Sequence, residues 1–193
     1  MEQTPKKLAI FVSGTGTLLE SFLNGGLEVD LVLADRPCRG IDIAKEKNVP
    51  TELVLRTDFS KNFDREAYTE RVLAALKKHN IDVVAMAGFD TVLSSSIFKE
   101  YGGRILNTHP ALLPSFKGLY GRPLIKETLA YGVKVTGCTV HIATAEVDEG
   151  KILAQKAVEV LPNDTEDSLW ERIKEVERVL YLETIRAFMA DTV

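Results

Sequence analysis

Short apolar runs that alternate with amphipathic segments constrain the fold of this 193-residue chain more than any other feature. The first run is Leu-Ala-Ile-Phe-Val at positions 8–12, and similar runs lie at positions 29–34 and 81–87. Such runs are typical of strands covered on both faces, and helical spacing occurs between them, as over residues 64–79. Strands that alternate with helices predict an α/β fold with a doubly wound, mostly parallel, Rossmann-like sheet and helices on both faces.

The second half of the chain follows a different pattern. Alternating apolar residues over positions 133–142 predict a strand with a β-bulge near Gly137, where the alternation shifts by one residue. Asp164 or Thr165 is expected to cap a long last helix. Because no repeat or long linker interrupts the chain, we expect a single domain over residues 1–193. Its first half covers about residues 1–100, and its second half covers about residues 101–193.

Charge and composition exclude several classes of protein. The chain carries 24 Lys and Arg against 28 Asp and Glu, a net charge of −4. This balance argues against a nucleic-acid partner, because phosphate-backbone binding depends on clustered basic residues. The apolar runs are too short to span a bilayer, so no membrane partner is expected. Cys38 and Cys138 form no metal-binding pattern, so we expect reduced thiols, a cytoplasmic location and no bound metal.

A glycine-containing loop follows the first predicted strand. In Ser-Gly-Thr-Gly-Thr at positions 13–17, backbone N–H groups at the start of the next helix favour phosphate binding. Asp35 ends the second predicted strand, where a dinucleotide-binding protein keeps its ribose-binding acid, but Leu19 occupies the third glycine position of that motif. Phosphate binding is therefore favoured, while a dinucleotide site and a turn without a ligand stay open as alternatives.

Polar residues follow the strand predicted near position 106. Asn107 and His109 are expected at the carboxyl edge of the sheet, where α/β proteins bind ligands. Asn107 can stabilise an oxyanion and His109 can carry a proton near neutral pH. A carboxylate should orient His109, and spacing ranks Asp148 slightly above Glu146. His141 lies within a predicted strand and is expected to be structural.

Five segments together resemble a known family. Their order and separation match the phosphoribosylglycinamide formyltransferases, within the folate-dependent formyltransferase superfamily, over nearly the entire chain. The segments are Ser-Gly-Thr-Gly-Thr (13–17), Ala-Gly-Phe (87–89), Leu-Asn-Thr-His-Pro-Ala-Leu-Leu-Pro (106–114), Gly-Cys-Thr-Val-His (137–141) and Val-Asp-Glu-Gly (147–150). The resemblance implies transfer of the formyl group of 10-formyltetrahydrofolate to the amine of glycinamide ribonucleotide in purine biosynthesis, without a metal. A homodimer is compatible with it.

The resemblance also implies a phosphate-binding half over about residues 1–100, a catalytic and folate-binding half over about residues 101–193, and a set of site residues. The catalytic residues are Asn107, His109 and Asp148. The phosphate and ribose of the substrate contact Gly16, Thr17, Leu18, Lys174, Glu175, Val176 and Glu177. The folate contacts Arg65, Asp90, Thr91, Val92, Leu93, Asn107, Thr144, Ala145, Glu146, Val147 and Asp148. In this scheme Asn107 and a protonated His109 stabilise the oxyanion, and Asp148 keeps His109 charged.

The chain departs from the family's usual sequence at several of the implied site residues and at one residue beside them. Leu18 stands where the family usually has Asn, Asp90-Thr91 where Met-Arg is common, and Arg178 where His is common.

Formyltetrahydrofolate deformylase shares the catalytic residues but usually carries an N-terminal regulatory domain, and only seven residues precede the first predicted strand here. Methionyl-tRNA formyltransferase needs a basic RNA-binding domain. The intact catalytic residues disfavour a non-catalytic nucleotide-binding module.

Overall fold

The computed structural model describes residues 5–192. Within that range the chain forms seven strands, β1 (Leu8–Val12), β2 (Leu31–Ala34), β3 (Thr51–Leu53), β4 (Val83–Met86), β5 (Ile105–His109), β6 (Val135–Ile142) and β7 (Ile152–Glu159). It also forms six helices, α1 (Thr17–Asn24), α2 (Arg39–Glu46), α3 (Arg65–Lys78), α4 (Ser95–Tyr101), α5 (Gly121–Tyr131) and α6 (Glu166–Met189). The chain divides into two compact units between Ile105 and Leu106. The single domain expected from the sequence stays a prediction.

The first unit contains the alternating strands and helices that the sequence predicts. Its strands lie parallel in the order β3-β2-β1-β4. Every residue of β1 and β2 is buried, which explains why both strands are continuously apolar. The predicted α/β class with a mostly parallel sheet is confirmed. In this arrangement the loops that follow β1 and β2 lie at the carboxyl ends of parallel strands.

The second unit is built on antiparallel strands in the order β5-β6-β7. In the first pair, Asn107 lies opposite His141 and His109 lies opposite Thr139. Six buried residues of the loop after β5, the helices α5 and α6 and strand β7 form an apolar cluster: Ala111, Leu124, Ile125, Val158, Leu169 and Ile173. Helical spacing on α6 predicts a core face of Leu169, Ile173, Val176 and Leu180. Leu169 and Ile173 are buried, whereas Val176 and Leu180 are partly buried.

Two local predictions in the second unit were wrong. The register shift between β6 and β7 lies between Val140 and His141, not at Gly137. A glycine stands at 137 because a Cβ there would collide with the backbone carbonyl of Lys156. In addition, β5 does not end near Leu106, because Asn107 and the two residues after it pair with β6. Asn107 and His109 therefore lie on the strand itself and not after its end.

Helix α6 begins with the cap that the sequence predicts. The Thr165 hydroxyl accepts a hydrogen bond from the Ser168 N–H at 3.2 Å, and the Ser168 hydroxyl accepts one from the Thr165 N–H at 2.9 Å. Asp164, the alternative cap, instead forms an ion pair with Arg172 at 2.6 Å. Two neighbouring residues thus fix the start of the helix that carries Lys174 and Glu177.

Candidate active site

Asn107 and His109 lie two residues apart on β5, so the alternation of a strand places both side chains on one face. Thr108 points to the other face, where its hydroxyl lies 3.2 Å from the Cys138 thiol. Cys138 is a free thiol, and burial raises its pKa to about 12. A thiol with so high a pKa is a poor nucleophile. The polar face of β5 is therefore the one with Asn107 and His109.

His109 is almost fully buried, with 2% of its surface exposed. Its Nδ1 lies 3.3 Å from Oδ2 of Asp148. A carboxylate at this position favours the tautomer with the proton on Nδ1 and leaves a lone pair on Nε2. Among residues 5–192, Nε2 has no hydrogen-bond partner. Because buried polar atoms are nearly always paired, this orphaned nitrogen marks a functional position.

The charge state of His109 differs from the expectation. Burial lowers the pKa of His109 below its usual value, while the carboxylate of Asp148 acts in the opposite direction. Because desolvation outweighs this attraction, the imidazole is mostly neutral at pH 7 in the ligand-free protein. The resemblance implies an imidazolium held charged by Asp148. The pKa of His109 lies below its usual value in the ligand-free protein, and the charge of His109 during the reaction stays a prediction.

Asp148 reaches His109 from the loop between β6 and β7. Its backbone has a φ of 57°, a left-handed conformation that costs a non-glycine residue on the order of 1–2 kcal/mol. The Gly118 N–H donates a hydrogen bond of 2.9 Å to Oδ2. Burial raises the pKa of Asp148, but His141, this N–H and His109 outweigh it, so the pKa lies below its usual value. The carboxylate is therefore charged at neutral pH, and Glu146, the alternative, is exposed.

His141 is a site residue that sequence reasoning missed. Its Nε2 lies 3.6 Å from Oδ1 of Asp148 and makes no hydrogen bond within the described chain. Its Nδ1 donates to the Ile142 carbonyl at 3.0 Å, since a carbonyl can only accept. Asp148 thus lies between two buried imidazoles. The register shift beside His141 is the structural signal, because bulges redirect side chains near active sites.

Thr139 fixes the loop that follows His109. Its hydroxyl donates to the Ala111 carbonyl at 2.7 Å and accepts from the Leu113 N–H at 3.0 Å. The Gln155 amide donates to the Thr139 hydroxyl and to the Leu113 carbonyl, both at 3.0 Å. These four bonds hold the chain after His109 in one conformation.

The predicted phosphate loop lies in the first unit. Gly16 precedes α1 with a φ of 71°, and no side chain caps the helix. A Cβ on Gly16 would lie 2.7 Å from Cα of Gly40, so only glycine fits this close approach. The N–H groups of Thr17 and Leu18 belong to the first turn, where an anion can bind. The Leu18 side chain is buried, so its backbone is the part that a ligand can reach.

Asp35 does not have the contacts of a ribose-binding acid. It is fully buried, and Arg36 donates to both carboxylate oxygens at 3.0 and 2.9 Å. The Thr91 hydroxyl donates a further bond of 2.6 Å. Burial raises the pKa of Asp35, but these bonds outweigh it and the net direction is downward. With both oxygens occupied, the dinucleotide alternative is disfavoured.

The predicted folate residues fall into two groups, one in each unit. In the first unit, Arg65 is exposed at the start of α3, the Asp90 N–H donates to the Ser13 hydroxyl at 2.9 Å, and Val92 is 53% exposed. Leu93 is buried. In the second unit, Thr144, Ala145, Glu146 and Val147 are exposed in the loop that carries Asp148. The two described segments thus offer backbone groups and few free polar side chains.

Of the four predicted substrate residues on α6, the structure brings two together. Lys174 forms an ion pair with Glu177, which is 2% exposed, and the Lys174 ammonium lies 5.2 Å from the Trp170 ring centroid. Glu175 is exposed, and Val176 packs against the apolar cluster of the second unit. Lys174 and Glu177 are therefore the pair able to contact a polar ligand.

Two further findings concern the described residues as a set. Within residues 5–192, no group of three or more His, Cys, Asp or Glu side chains is arranged to hold a metal ion. No helix in that range is both long and apolar enough to cross a bilayer. The candidate site described above consists of an amide, two imidazoles and a carboxylate. Such a set can stabilise an oxyanion and move a proton at a carbonyl-type carbon.

The chain belongs to the formyl transferase family, which it matches over residues 6–185. A phosphoribosylglycinamide formyltransferase of Mycobacterium tuberculosis is 43% identical over 188 residues, covering 95% of this chain and 85% of that protein. The trifunctional purine biosynthetic protein adenosine-3 of Gallus gallus is 38% identical over 183 residues, covering 91% of this chain and 18% of that protein. The solved phosphoribosylglycinamide formyltransferase of Brucella melitensis is 36% identical with a TM-score of 0.87, covering 97% of each chain.

Proposed function

We propose that this protein transfers the formyl group of 10-formyltetrahydrofolate to the amine of glycinamide ribonucleotide, a step of purine biosynthesis. The observation that carries the proposal is the buried His109–Asp148 pair, 3.3 Å apart, with an unpartnered Nε2 on the same strand face as Asn107. The names of relatives that cover nearly the whole chain support the same substrate pair.

Asn107 acts on the oxygen of the formyl group. When the amine nitrogen attacks the formyl carbon, a C–N bond forms and the carbonyl electron pair moves onto oxygen. The Asn107 amide donates a hydrogen bond to this oxyanion. Removal of one such donor typically costs about 2.7–4 kcal/mol of transition-state stabilisation.

His109 carries the proton between the two nitrogens. Its neutral Nε2 accepts the proton that the attacking amine must lose, and the imidazolium that forms is stabilised by Asp148 across 3.3 Å. His109 then gives the proton to N10 of the folate as the C–N10 bond breaks. Formylglycinamide ribonucleotide and tetrahydrofolate leave, and His109 returns to its neutral form. A lowered pKa suits this role, because the free imidazole must begin as a base.

The binding residues are assigned to the same reaction. The first turn of α1, with Gly16, Thr17 and Leu18, binds the substrate phosphate through backbone N–H groups. On α6, Glu177, which forms an ion pair with Lys174, accepts hydrogen bonds from ribose hydroxyls. No step in this scheme requires a metal ion.

Omission of one substrate tests the proposal. Purified protein with 10-formyltetrahydrofolate and an excess of EDTA should release tetrahydrofolate only when glycinamide ribonucleotide is present, with one formylated product per folate. Release at the same rate without the ribonucleotide would establish a deformylase instead. Absence of turnover, together with binding of the ribonucleotide, would favour a non-catalytic binding module.

A further inference from the structure

The tip of the loop between β6 and β7 is exposed except at one residue. Among residues 144–149, Asp148 alone is buried. The base of the loop packs closely, because a Cβ on Gly150 would collide with the Ile142 carbonyl. Asp148 itself has a left-handed backbone with a φ of 57°, which residues other than glycine rarely adopt. The tip therefore needs contacts from another part of the chain to keep the carboxylate in place.

Residues 116–119, in the loop between β5 and α5, supply such contacts. Phe116 and Leu119 pack against the apolar cluster of the second unit. Lys117 and Gly118 lie between these two anchors, are exposed, and contact the tip of the β6–β7 loop. The segment is thus fixed on its apolar side and holds the tip on its polar side.

Two adjacent links join this segment to the tip. The Gly118 N–H donates to Oδ2 of Asp148 at 2.9 Å, and the Lys117 ammonium lies 2.7 Å from Oε2 of Glu149. The same Oδ2 of Asp148 lies 3.3 Å from Nδ1 of His109. Because the linked residues are consecutive in both segments, the ion pair and the hydrogen bond restrain the same stretch of backbone.

We propose that the Lys117–Glu149 ion pair positions the Asp148 carboxylate against His109, an inference that rests on the proposed function because these two residues carry the proton there. The side chains of the pair are 36% and 53% exposed. An exposed pair contributes little to the free energy of unfolding. Its contribution here is geometric, because loss of the pair lets the tip relax and withdraws the carboxylate from the imidazole. Lys117 and Glu149 are thus positioning residues that act through Asp148.

The pKa of His109 reports the position of Asp148. Burial and His141 lower this pKa, whereas Asp148 and a hydrogen bond with the Ser115 backbone raise it. A more distant Asp148 raises it less, because the interaction between two charges weakens with their separation. Loss of the ion pair should therefore lower the pKa of His109, whichever of the two charges is changed. A direct effect of each new charge on His109 would instead have opposite signs in the two variants.

NMR titration of the ligand-free protein tests the assignment without turnover. The chain has three histidines, so the ring signals of His109 can be followed in wild type, Lys117→Glu, Glu149→Lys and the exchanged pair K117E/E149K. Each single variant should lower the titration midpoint of His109 by roughly 0.2–0.7 pH units, the equivalent of one exposed ion pair. The exchanged pair should restore the midpoint, because attraction returns with the charges reversed.

A second exposed ion pair provides the matched control. Lys77 and Glu100 also lie 2.7 Å apart, but they join α3 to α4 in the first unit. The variants K77E, E100K and K77E/E100K change the net charge by the same amounts as the variants of the Lys117–Glu149 pair. They should leave the midpoint of His109 unchanged.

Turnover provides a second measure. In K117E and E149K, kcat should fall about two- to fivefold with little change in KM, and the exchanged pair should regain most of the loss. Opposite shifts of the His109 midpoint in the two single variants, or no shift in either, would overturn the assignment. A failure of formyl transfer itself appears in the substrate-omission assay with wild type, whereas the titration judges the ion pair alone.

Discussion

Burial sets the proton positions of His109 and Asp148 at neutral pH. The imidazole is held neutral because desolvation lowers its pKa, whereas the carboxyl stays ionised because its hydrogen bonds and the imidazoles outweigh burial. A neutral base beside a fixed negative charge is suited to accept a proton and to stabilise the cation that results.

The pH dependence of turnover should report His109. The rate constant kcat/KM should fall on the acidic side with a midpoint below about 6.5, the usual histidine pKa. Asp148→Asn removes the charge that raises the pKa of His109, so the midpoint should move to lower pH while kcat falls by on the order of 10²–10⁴. Steady-state rates of wild type and D148N from pH 5 to 9 measure the midpoint of kcat/KM and the change in kcat. A midpoint that moves upward in D148N would contradict the assigned interaction.

Gly16 is a residue at which backbone conformation and space both require glycine. A Cβ in Gly16→Ala would lie 2.7 Å from Cα of Gly40, and φ is 71°. The substitution should lower the free energy of unfolding by roughly 1–3 kcal/mol and raise KM for the ribonucleotide. Gly14→Ala is the control, since nothing lies within 4 Å of its Cβ position. Urea denaturation measures the free energy of unfolding of both variants. Equal values would contradict the predicted collision between a Cβ at position 16 and Gly40.

At the scale of elements, two buried threonines of β6 contribute differently to the order of the site. Thr136 and Thr139 are both buried on this strand. Thr139 makes hydrogen bonds to the loop after His109, whereas Thr136 Oγ1 makes none within the described residues. The difference depends on what packs against each position, so the sequence of β6 alone does not reveal it.

The same substitution at these two positions should give opposite outcomes. Thr139→Val leaves the Leu113 N–H, the Ala111 carbonyl and part of the Gln155 amide unpaired, and should destabilise the protein by about 2–4 kcal/mol and lower kcat. Thr136→Val replaces a hydroxyl that has no partner, so stability should stay the same or rise. Thermal and urea denaturation of both variants decide the matter. Comparable losses of stability in the two variants would show that the Thr139 hydrogen bonds do not stabilise the protein.

Predictions of element type were more reliable than predictions of local irregularity. The strands of the first unit were predicted to be parallel because a short, unbroken apolar run is typical of a strand covered by helices on both faces. The bulge was predicted at Gly137 because a glycine coincides there with a one-residue shift in the alternation of apolar residues. The structure places the register shift between Val140 and His141, and glycine is needed at 137 because a Cβ would collide with the Lys156 carbonyl. Cross-strand neighbours decide such details, and they come from distant parts of the sequence.

At the scale of the whole molecule, the two units carry different parts of the proposed reaction. The first unit holds the proposed phosphate loop, and the second holds Asn107, His109 and Asp148. Substrate binding should stabilise the folded protein, because the unfolded chain does not bind it.

The shift in Tm on thermal unfolding should distinguish a ligand that the protein binds from one that it does not bind. Glycinamide ribonucleotide at 100 times its Kd should stabilise the protein by about 2.7 kcal/mol, because only the folded state binds it. NAD at the same concentration should leave Tm unchanged, since Arg36 and Thr91 occupy the Asp35 carboxylate. Differential scanning fluorimetry with each ligand provides the comparison. A rise in Tm with NAD would restore the dinucleotide interpretation.

The α/β class, the capped last helix and the two motifs that contain Asn107, His109 and Asp148 can be predicted from the sequence alone. These features depend on local periodicity, on residue type at helix ends and on short runs of residues. The lowered pKa of His109 and the approach of His141 to Asp148 become visible only in the folded chain. Burial and distance between residues far apart in the chain set those properties, because desolvation and Coulomb interactions act through space.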